Sequence, residues 1–492
     1  MASTLGLEGI EAIVFRTVGD QESLWESLLP ELVRRLPEEL ARVDVVLDDP
    51  AFFAPFAPLF DPRIGRPSTP MEMYLRLMFL KFRYRLGYES LCREVADSIV
   101  WRRFCRIPLD GVVPHPTTLM KLTTRCGVTA VDGLNEALLA KAAATKLLRT
   151  TRVRADTTVI PANVCYPTDS GLLAKAIRRI ATTGRRIQAA GGATRTTIRD
   201  RSRSAWKRAH EIGSKLRLRT AAGTDEAHAA VRRVTGELSN LADRAARDAE
   251  RLLANAKTAL RRARAKAQHL KELGQRDAVA GRRRGRLARA VNDLTDLLAA
   301  TRQIARQTRQ RVAGKTPDGS TRRVSLHDPD ARPIAKGRLG KPVEFGHKAQ
   351  LVDNEDGIVL DHDVQRGNPA DAPRLAPAID RVSTRTGRPP RTVTADRGYG
   401  EKNVEDTLHE IGVRDVVIPR KGKPTKTRQA VEHRRSFRRT IKWRTGCEGR
   451  ISTLKRNYGW DRSRIDSTEG ARIWAGHGVL THNLVKISAL SE

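Results

Sequence analysis

Residues 391–420 read RTVTADRGYGEKNVEDTLHEIGVRDVVIPR. The β-branched run RTVTAD gives way to Gly398 and Gly400, then to the amphipathic stretch EKNVEDTLHEIG, then to a second β-branched run, DVVIP. This is the pattern of strand, helix, strand. Upstream, VEFGHKAQLVD and GIVLDHDV read as two strands around the turn Asn354-Glu355-Asp356-Gly357, a hairpin signal. The Asn368-Pro369 break then precedes a helix in ADAPRLAPAIDRVSTRTG. Downstream, a basic loop from Lys421 to Lys442 leads to a helix that carries Glu448. One further strand, TRVRADTTVI (151–160), lies far earlier in the chain. Right-handed crossovers let the fourth strand lie beside the first, which brings Asp156 and Asp396 together although they are 240 residues apart.

Three antiparallel strands followed by helix, strand, helix, strand, helix is the order of a ribonuclease-H-like fold. The expected architecture is therefore an α/β catalytic domain with a mixed five-stranded sheet flanked by helices, formed by residues 149–170 and 341–492. Residues 171–340 are a basic α-helical insertion after the first strand, and residues 1–66 are a lead-in with a short helix and an irregular Pro- and Phe-rich connection. Residues 67–148 read as a helical, helix-turn-helix-like DNA-binding domain. Thr69 is the expected N-cap, with Pro70 at the first helical position and Glu72 completing a capping box. Gly87 is expected to stop that helix, and ESLCREVADS, IVWRRFCRI and a start at Thr117 and Thr118 give the next three. Leu75, Leu77, Met78, Leu80, Leu91 and Val95 form the expected core, while Lys81, Arg83, Arg85, Arg102, Arg103 and Arg106 stay at the surface for phosphate.

The net charge is +35, from 91 Lys and Arg against 56 Asp and Glu, with a pI near 10.9. Such a field favours a polyanion as partner, with marked salt dependence. Residues 171–330 hold 38 Lys and Arg against 15 Asp and Glu, so most of the excess sits there. Stretches such as RLLANAKTALRRARAKAQHLKEL repeat apolar residues at three- and four-residue steps, which predicts long packed helices in contact with DNA backbone or with a second copy. No apolar run is long enough to span a bilayer, and the first residues, MASTLGLEGIEAIVF, lack the pattern of a secretion signal. A cytoplasmic, nucleoid-associated protein with no membrane partner is expected. Cys92, Cys105, Cys126, Cys165 and Cys447 form no C-x-x-C pair, which favours reduced thiols over disulfides or a zinc knuckle.

Three acidic residues stand out by context: Asp156 and Asp396 at strand ends, and Glu448 in WRTGCEGRISTLKR. Carboxylates converging from two strands and a helix suit a cage of hard divalent ions. Around Glu448 the chain resembles the DDE-type transposases of bacterial insertion sequences. Many of these carry Tyr, Arg, Glu and Lys separated by two, three and six residues; here the positions hold Ile441, Arg444, Glu448 and Lys455. At 100° per residue the last three share one helical face. VTADRGYG matches the family's turn after the second Asp, and the helical region from Pro70 to Arg125 resembles its N-terminal part.

The resemblance implies a metal-dependent enzyme that cuts and joins DNA, with Asp156, Asp396 and Glu448 as catalytic and metal-binding residues. Mg²⁺ is the expected cofactor, two ions with Mn²⁺ able to substitute. Arg444, Lys455, Lys442, Trp443 and Arg450 are the expected DNA-binding residues. The partners are double-stranded DNA, as terminal inverted repeats and target, and further copies of the chain in a dimer or larger synaptic complex. The alternative is a non-catalytic, sequence-specific DNA-binding protein derived from a transposase. Asp353, Asp356, Asp361 and Asp363 are assigned to turn chemistry, and His347 to a structural role. His477, His482 and Asn483 lie in a helix expected to pack on the sheet, and Trp460 with Trp443 flanks Glu448 in a base-stacking surface or in the core.

Overall fold

The computed structural model describes residues 13–14, 30–31, 35–61, 66–217, 224–275, 277–336 and 342–490. The lead-in carries a described helix, Glu38–Leu47, directly before its Pro- and Phe-rich stretch. The chain forms two compact units, one of residues 1–163 with 347–492 and the other of residues 164–346.

The first unit begins with α1 (Glu38–Leu47), α2 (Met71–Arg83), α3 (Tyr88–Asp97), α4 (Ile99–Phe104) and the long α5 (Pro116–Ala144). Its sheet is built from β1 (Arg152–Pro161), β3 (Val343–Asn354, from His347 onward), β4 (Val359–Arg366), β5 (Thr392–Thr394) and β6 (Asp415–Val417). The hairpin forms as read: β3 and β4 pair antiparallel, and Gly357 takes the left-handed φ of 78° that the turn requires. β5 lies between β1 and β6 and is parallel to both, and β1 is the neighbour of β3. The fourth strand of this sheet thus lies beside the first, the topology expected from the order of elements. In the second unit, a short strand that the sequence did not suggest, β2 (Arg332–Ala335), pairs antiparallel with Val343–Gly346.

Alternate residues of the sheet enter two different cores, as a period of two demands. Val352 and Leu360 join a large core shared with α1 to α5 and the terminal helix, whereas Leu351 and Val359 join a smaller one with Cys447, Leu454 and Trp460. Residues 67–148 therefore share a core with the sheet. α10 (Ala372–Thr386) and α11 (Lys402–Glu410) are the crossover helices. The terminal helix α15 (Ser467–Ser488) is buried along its length and packs on the sheet, where the Asn483 carboxamide both donates to and accepts from the backbone of Val359.

The N-terminal helices depart from the sequence reading in detail. α2 starts at Met71 with Pro70 as its cap and no side-chain cap bond, so the Thr69 capping box does not form. It ends at Arg83 rather than at Gly87, with Arg85 in the left-handed region at φ 57°. Lys81 is not at the surface: it is 2% exposed, inside a box formed by Phe82, Tyr88 and Trp474, and burial lowers its pKa to about 7. Arg83 pairs with Glu39, Arg85 with Asp461 and Arg106 with Asp48. These arginines hold the helices together, and phosphate would have to displace their carboxylates.

The second unit is a helical body of α6 (Asp169–Ala189), α7 (Ser202–Lys215), α8 (Thr224–Glu272) and α9 (Ala278–Val312). Leu238, Ala242, Ala245, Ala249, Leu252 and Ala256 repeat at three- and four-residue steps along α8, and all face the core.

Candidate active site

The register of the two parallel strands positions the acidic pair. Arg154 pairs with Thr394, and Asp156 and Asp396 each follow two residues later, on the same side of the sheet. Asp156 is 8% exposed; its Oδ1 accepts the Thr157 N–H at 2.8 Å and its Oδ2 accepts Arg444 Nη1 at 3.1 Å. Asp396 caps a single 3-10 turn, Arg397–Tyr399, where its Oδ1 accepts the Gly398 N–H at 2.7 Å. The two glycines after it are steric necessities. A Cβ at Gly398 would lie 2.9 Å from Asp396 Oδ1, and one at Gly400 would collide with the carbonyl oxygen of Pro419.

The basic segment from Lys421 to Lys442 is not a loop. It folds largely into α12 (Lys426–His433) and α13 (Arg435–Arg444), and a break at Thr445 separates α13 from α14 (Gly446–Asn457). The single helix expected to carry Ile441 to Lys455 is thus two. Thr445 nevertheless keeps right-handed helical angles, so Arg444 and Glu448 stay one turn apart. Arg444 Nη2 donates to Glu448 Oε1 at 3.1 Å while its Nη1 holds Asp156, so one guanidinium bridges two of the three carboxylates. The Glu448 side chain is 59% exposed.

The expected DNA contacts divide. Lys442 is exposed at the end of α13, and Trp443 is half-buried with the guanidinium groups of Arg152 and Arg154 over its ring, at 5.1 and 4.6 Å. Lys455 is half-buried on α14. Arg450 turns instead to the hairpin, with Nε 3.5 Å from Asp353 Oδ2, and its guanidinium lies where a Cβ on Gly357 would fall. Trp460 is fully buried and donates its indole N–H to the Ala475 carbonyl, which makes it core.

The residues that hold this arrangement escaped the sequence reading. Asp353 was assigned to the turn, yet it is fully buried and accepts both Arg154 Nε, at 2.7 Å, and Arg154 Nη2, at 3.0 Å. Arg154 Nη1 donates to the Trp443 carbonyl at 2.9 Å and so ties strand β1 to the end of α13, one residue before Arg444. A Cβ at Gly446 would strike that guanidinium. The available signal was RVRAD: Arg154 precedes Asp156 by two and shares its face of the strand.

Burial raises the Asp156 carboxyl to about 6; the Thr157 N–H and Arg444 pull it down, and Asp396 and Glu448 push it up. The donors are all carboxylate oxygens, which suits Mg²⁺ or Mn²⁺, and excess negative charge persists at Asp156 despite Arg444. Among the described residues no three acidic, His or Cys side chains close into a metal cage. Arg444, a cation, already lies between Asp156 and Glu448. Replacing it by a neutral side chain is expected to tighten Mn²⁺ binding. For Arg444→Gln, calorimetry at pH 8 should give a dissociation constant about tenfold lower, some 1.4 kcal/mol. An unchanged constant would mean that Arg444 and the ion do not compete.

None of the helices in the described residues is long and apolar enough to cross a membrane. No solved structure matches the chain. A protein of Rhizobium meliloti described as "Uncharacterized protein ORF8 in nfe locus" is 27% identical over 153 residues, which cover 29% of this chain and 71% of the relative. Residues 30–125 match the family described as Transposase domain (DUF772), and residues 318–484 match the Transposase DDE domain. The second match takes in Asp396 and Glu448 and starts downstream of Asp156. With a transposase domain matched in its N-terminal helices and a DDE domain matched over residues 318–484, the chain belongs to the DDE transposases of insertion sequences.

Proposed function

We propose that this protein cuts the ends of its own insertion element and joins them to target DNA in a reaction that depends on divalent metal ions. The observation that carries the reading is that Asp156 and Asp396 each lie two residues past the paired positions Arg154 and Thr394 of neighbouring parallel strands, with Glu448 linked to Asp156 through Arg444. Asp156, Asp396 and Glu448 would hold two Mg²⁺ ions, with Mn²⁺ as a substitute, and such ions stabilise the attacking and leaving oxygens of an in-line phosphoryl transfer. Arg444, once released from its two carboxylates, offers a planar fork to a phosphate, and Lys442 and Lys455 add point charges. Trp443, half-buried beside these residues, would meet a base or sugar.

The substrates are then the terminal inverted repeats and a target duplex, brought together by two or more copies of the chain in the nucleoid of the cytoplasm. The test is release of element ends from a supercoiled plasmid that carries the DNA flanking this reading frame, with Mg²⁺ present and absent. Ends released only with the ion support the proposal. Specific binding to the ends without release under any divalent ion would give the protein a binding role alone.

A further inference from the structure

The last buried side chain on α8 is Leu260 and the first on α9 is Leu287; among the described residues between them, none is buried. The two helices are joined by a short connection and form a hairpin whose outer part has no core. At 1.5 Å per residue the stretch from Leu260 to Glu272 extends roughly 18 Å beyond the end of that core. Its residues, RRARAKAQHLKE, are mostly strong helix formers, which keeps the helix without tertiary support.

The charge of this tip is predominantly positive. Arg262, Arg264 and Lys266 on α8 are exposed, as are Arg282 and Arg286 on α9, with Arg284 half-exposed. Among the described residues none of the six has a carboxylate partner. The two acidic residues of the tip are engaged elsewhere: Glu272 accepts from Gln268, and Asp277 caps α9 through the N–H groups of Val279 and Ala280. Arg283 is structural, since its Nε donates to the Ala190 carbonyl at 3.1 Å. Like charges held together on a coreless hairpin repel and lower stability, and an external polyanion relieves that repulsion.

We propose that the tip of the α8–α9 hairpin is a second DNA-binding surface, a clamp for the phosphodiester backbone of a duplex. Two helices side by side, each about 10–12 Å across, are wider than a major groove of about 12 Å, so the tip tracks phosphates and reads no bases. Only the nature of the partner rests on the transposase reading; the clamp itself does not involve the acidic residues.

The experiment uses the full chain without divalent ions, so that nothing is cut, and follows binding to a duplex of arbitrary sequence over a range of NaCl concentrations. The variant carries Arg262→Gln, Arg264→Gln, Lys266→Gln, Arg282→Gln, Arg284→Gln and Arg286→Gln, all at positions outside the core. Each phosphate that the variant no longer neutralises makes the slope of log K against log salt shallower by about 0.9, so the six substitutions are expected to reduce it by up to about 5, with affinity down at least about 100-fold at low salt. A second variant, with residues 261–286 replaced by a short Gly-Ser turn, should behave alike. An unchanged slope and affinity in both would overturn the proposal. So would an unchanged slope with weakened self-association in sedimentation, which assigns the tip to pairing between copies. The binding readout needs no divalent ion and no cut, so a failure of cleavage and a failure of the clamp are read separately.

Discussion

Asp396→Asn is expected to lower metal-dependent release of element ends by at least about 10³-fold, equivalent to about 4 kcal/mol of transition-state stabilisation. The substitution is chosen because it changes charge and little else. Asn keeps an oxygen that accepts the Gly398 N–H, the bond that now caps the turn at 2.7 Å. The glycines that clear Asp396 and the Pro419 carbonyl are untouched. What disappears is one negative charge in the turn that follows the strand next to that of Asp156. The effect should appear in single-turnover cleavage at saturating DNA, with binding of the ends unaltered. Glu448→Gln should show the same loss, because the Gln oxygen can still meet Arg444 but adds no charge for an ion. Cleavage within tenfold of wild type in both variants would remove these two residues from the chemistry and leave the protein as a binder of its element.

The legible parts of the sequence are those whose signal is local. The β3–β4 hairpin was readable because Asn354-Glu355-Asp356-Gly357 separates two β-branched runs, and Gly357 does take a positive φ. The Asp396 turn was readable because Gly398 and Gly400 follow a short strand and have no room for a side chain. Burial of charge was not readable. Arg76 is fully buried, yet it lies in an amphipathic-looking helix; it pairs with Asp44 and Asp48, 32 and 28 residues earlier. Lys81 is held by aromatic rings, one of them on a helix almost 400 residues away. Asp353 looked like a turn residue because its partner, Arg154, belongs to a strand 199 residues earlier.

Segments dominated by charge misled in the other direction. RSFRRTIK reads as part of a basic loop, but Phe437 is buried and anchors a helix there. The strand Arg332–Ala335 is four residues long and contains Pro333, a composition suited to a sheet edge and weak as a signal. The site itself was therefore legible as residue types, and its support was not. Arg154, Asp353 and the Trp443 carbonyl connect distant segments, and no spacing rule joins them.

Asp156→Asn is expected to stabilise the protein in the absence of divalent ions. Burial, with Asp396 and Glu448 adding to it, raises the Asp156 carboxyl from 3.8 to about 6. Between those values the folded protein retains a proton that the unfolded chain has lost. Stability therefore falls as pH rises from about 4 to about 6 and stays low above that range. A shift of about two units corresponds to roughly 3 kcal/mol. Asn keeps an acceptor for the Thr157 N–H and never ionises, so denaturant unfolding at pH 7.5 should show a gain approaching that figure, reduced by whatever Arg444 loses. At pH 3.5 the two proteins should unfold alike. Added Mn²⁺ should reverse the order at pH 7.5, since an ion that binds only the folded wild type stabilises it by mass action and finds a poorer site in the variant. Below about pH 6 the ion must displace a proton from Asp156, and its affinity for the wild type should weaken by up to about tenfold per unit. A variant no more stable than wild type without ions, and equally stabilised by them, would make Asp156 an ordinary strand residue. The predicted pair of opposite effects instead describes a carboxylate that destabilises the empty fold and is retained because a metal ion offsets its charge.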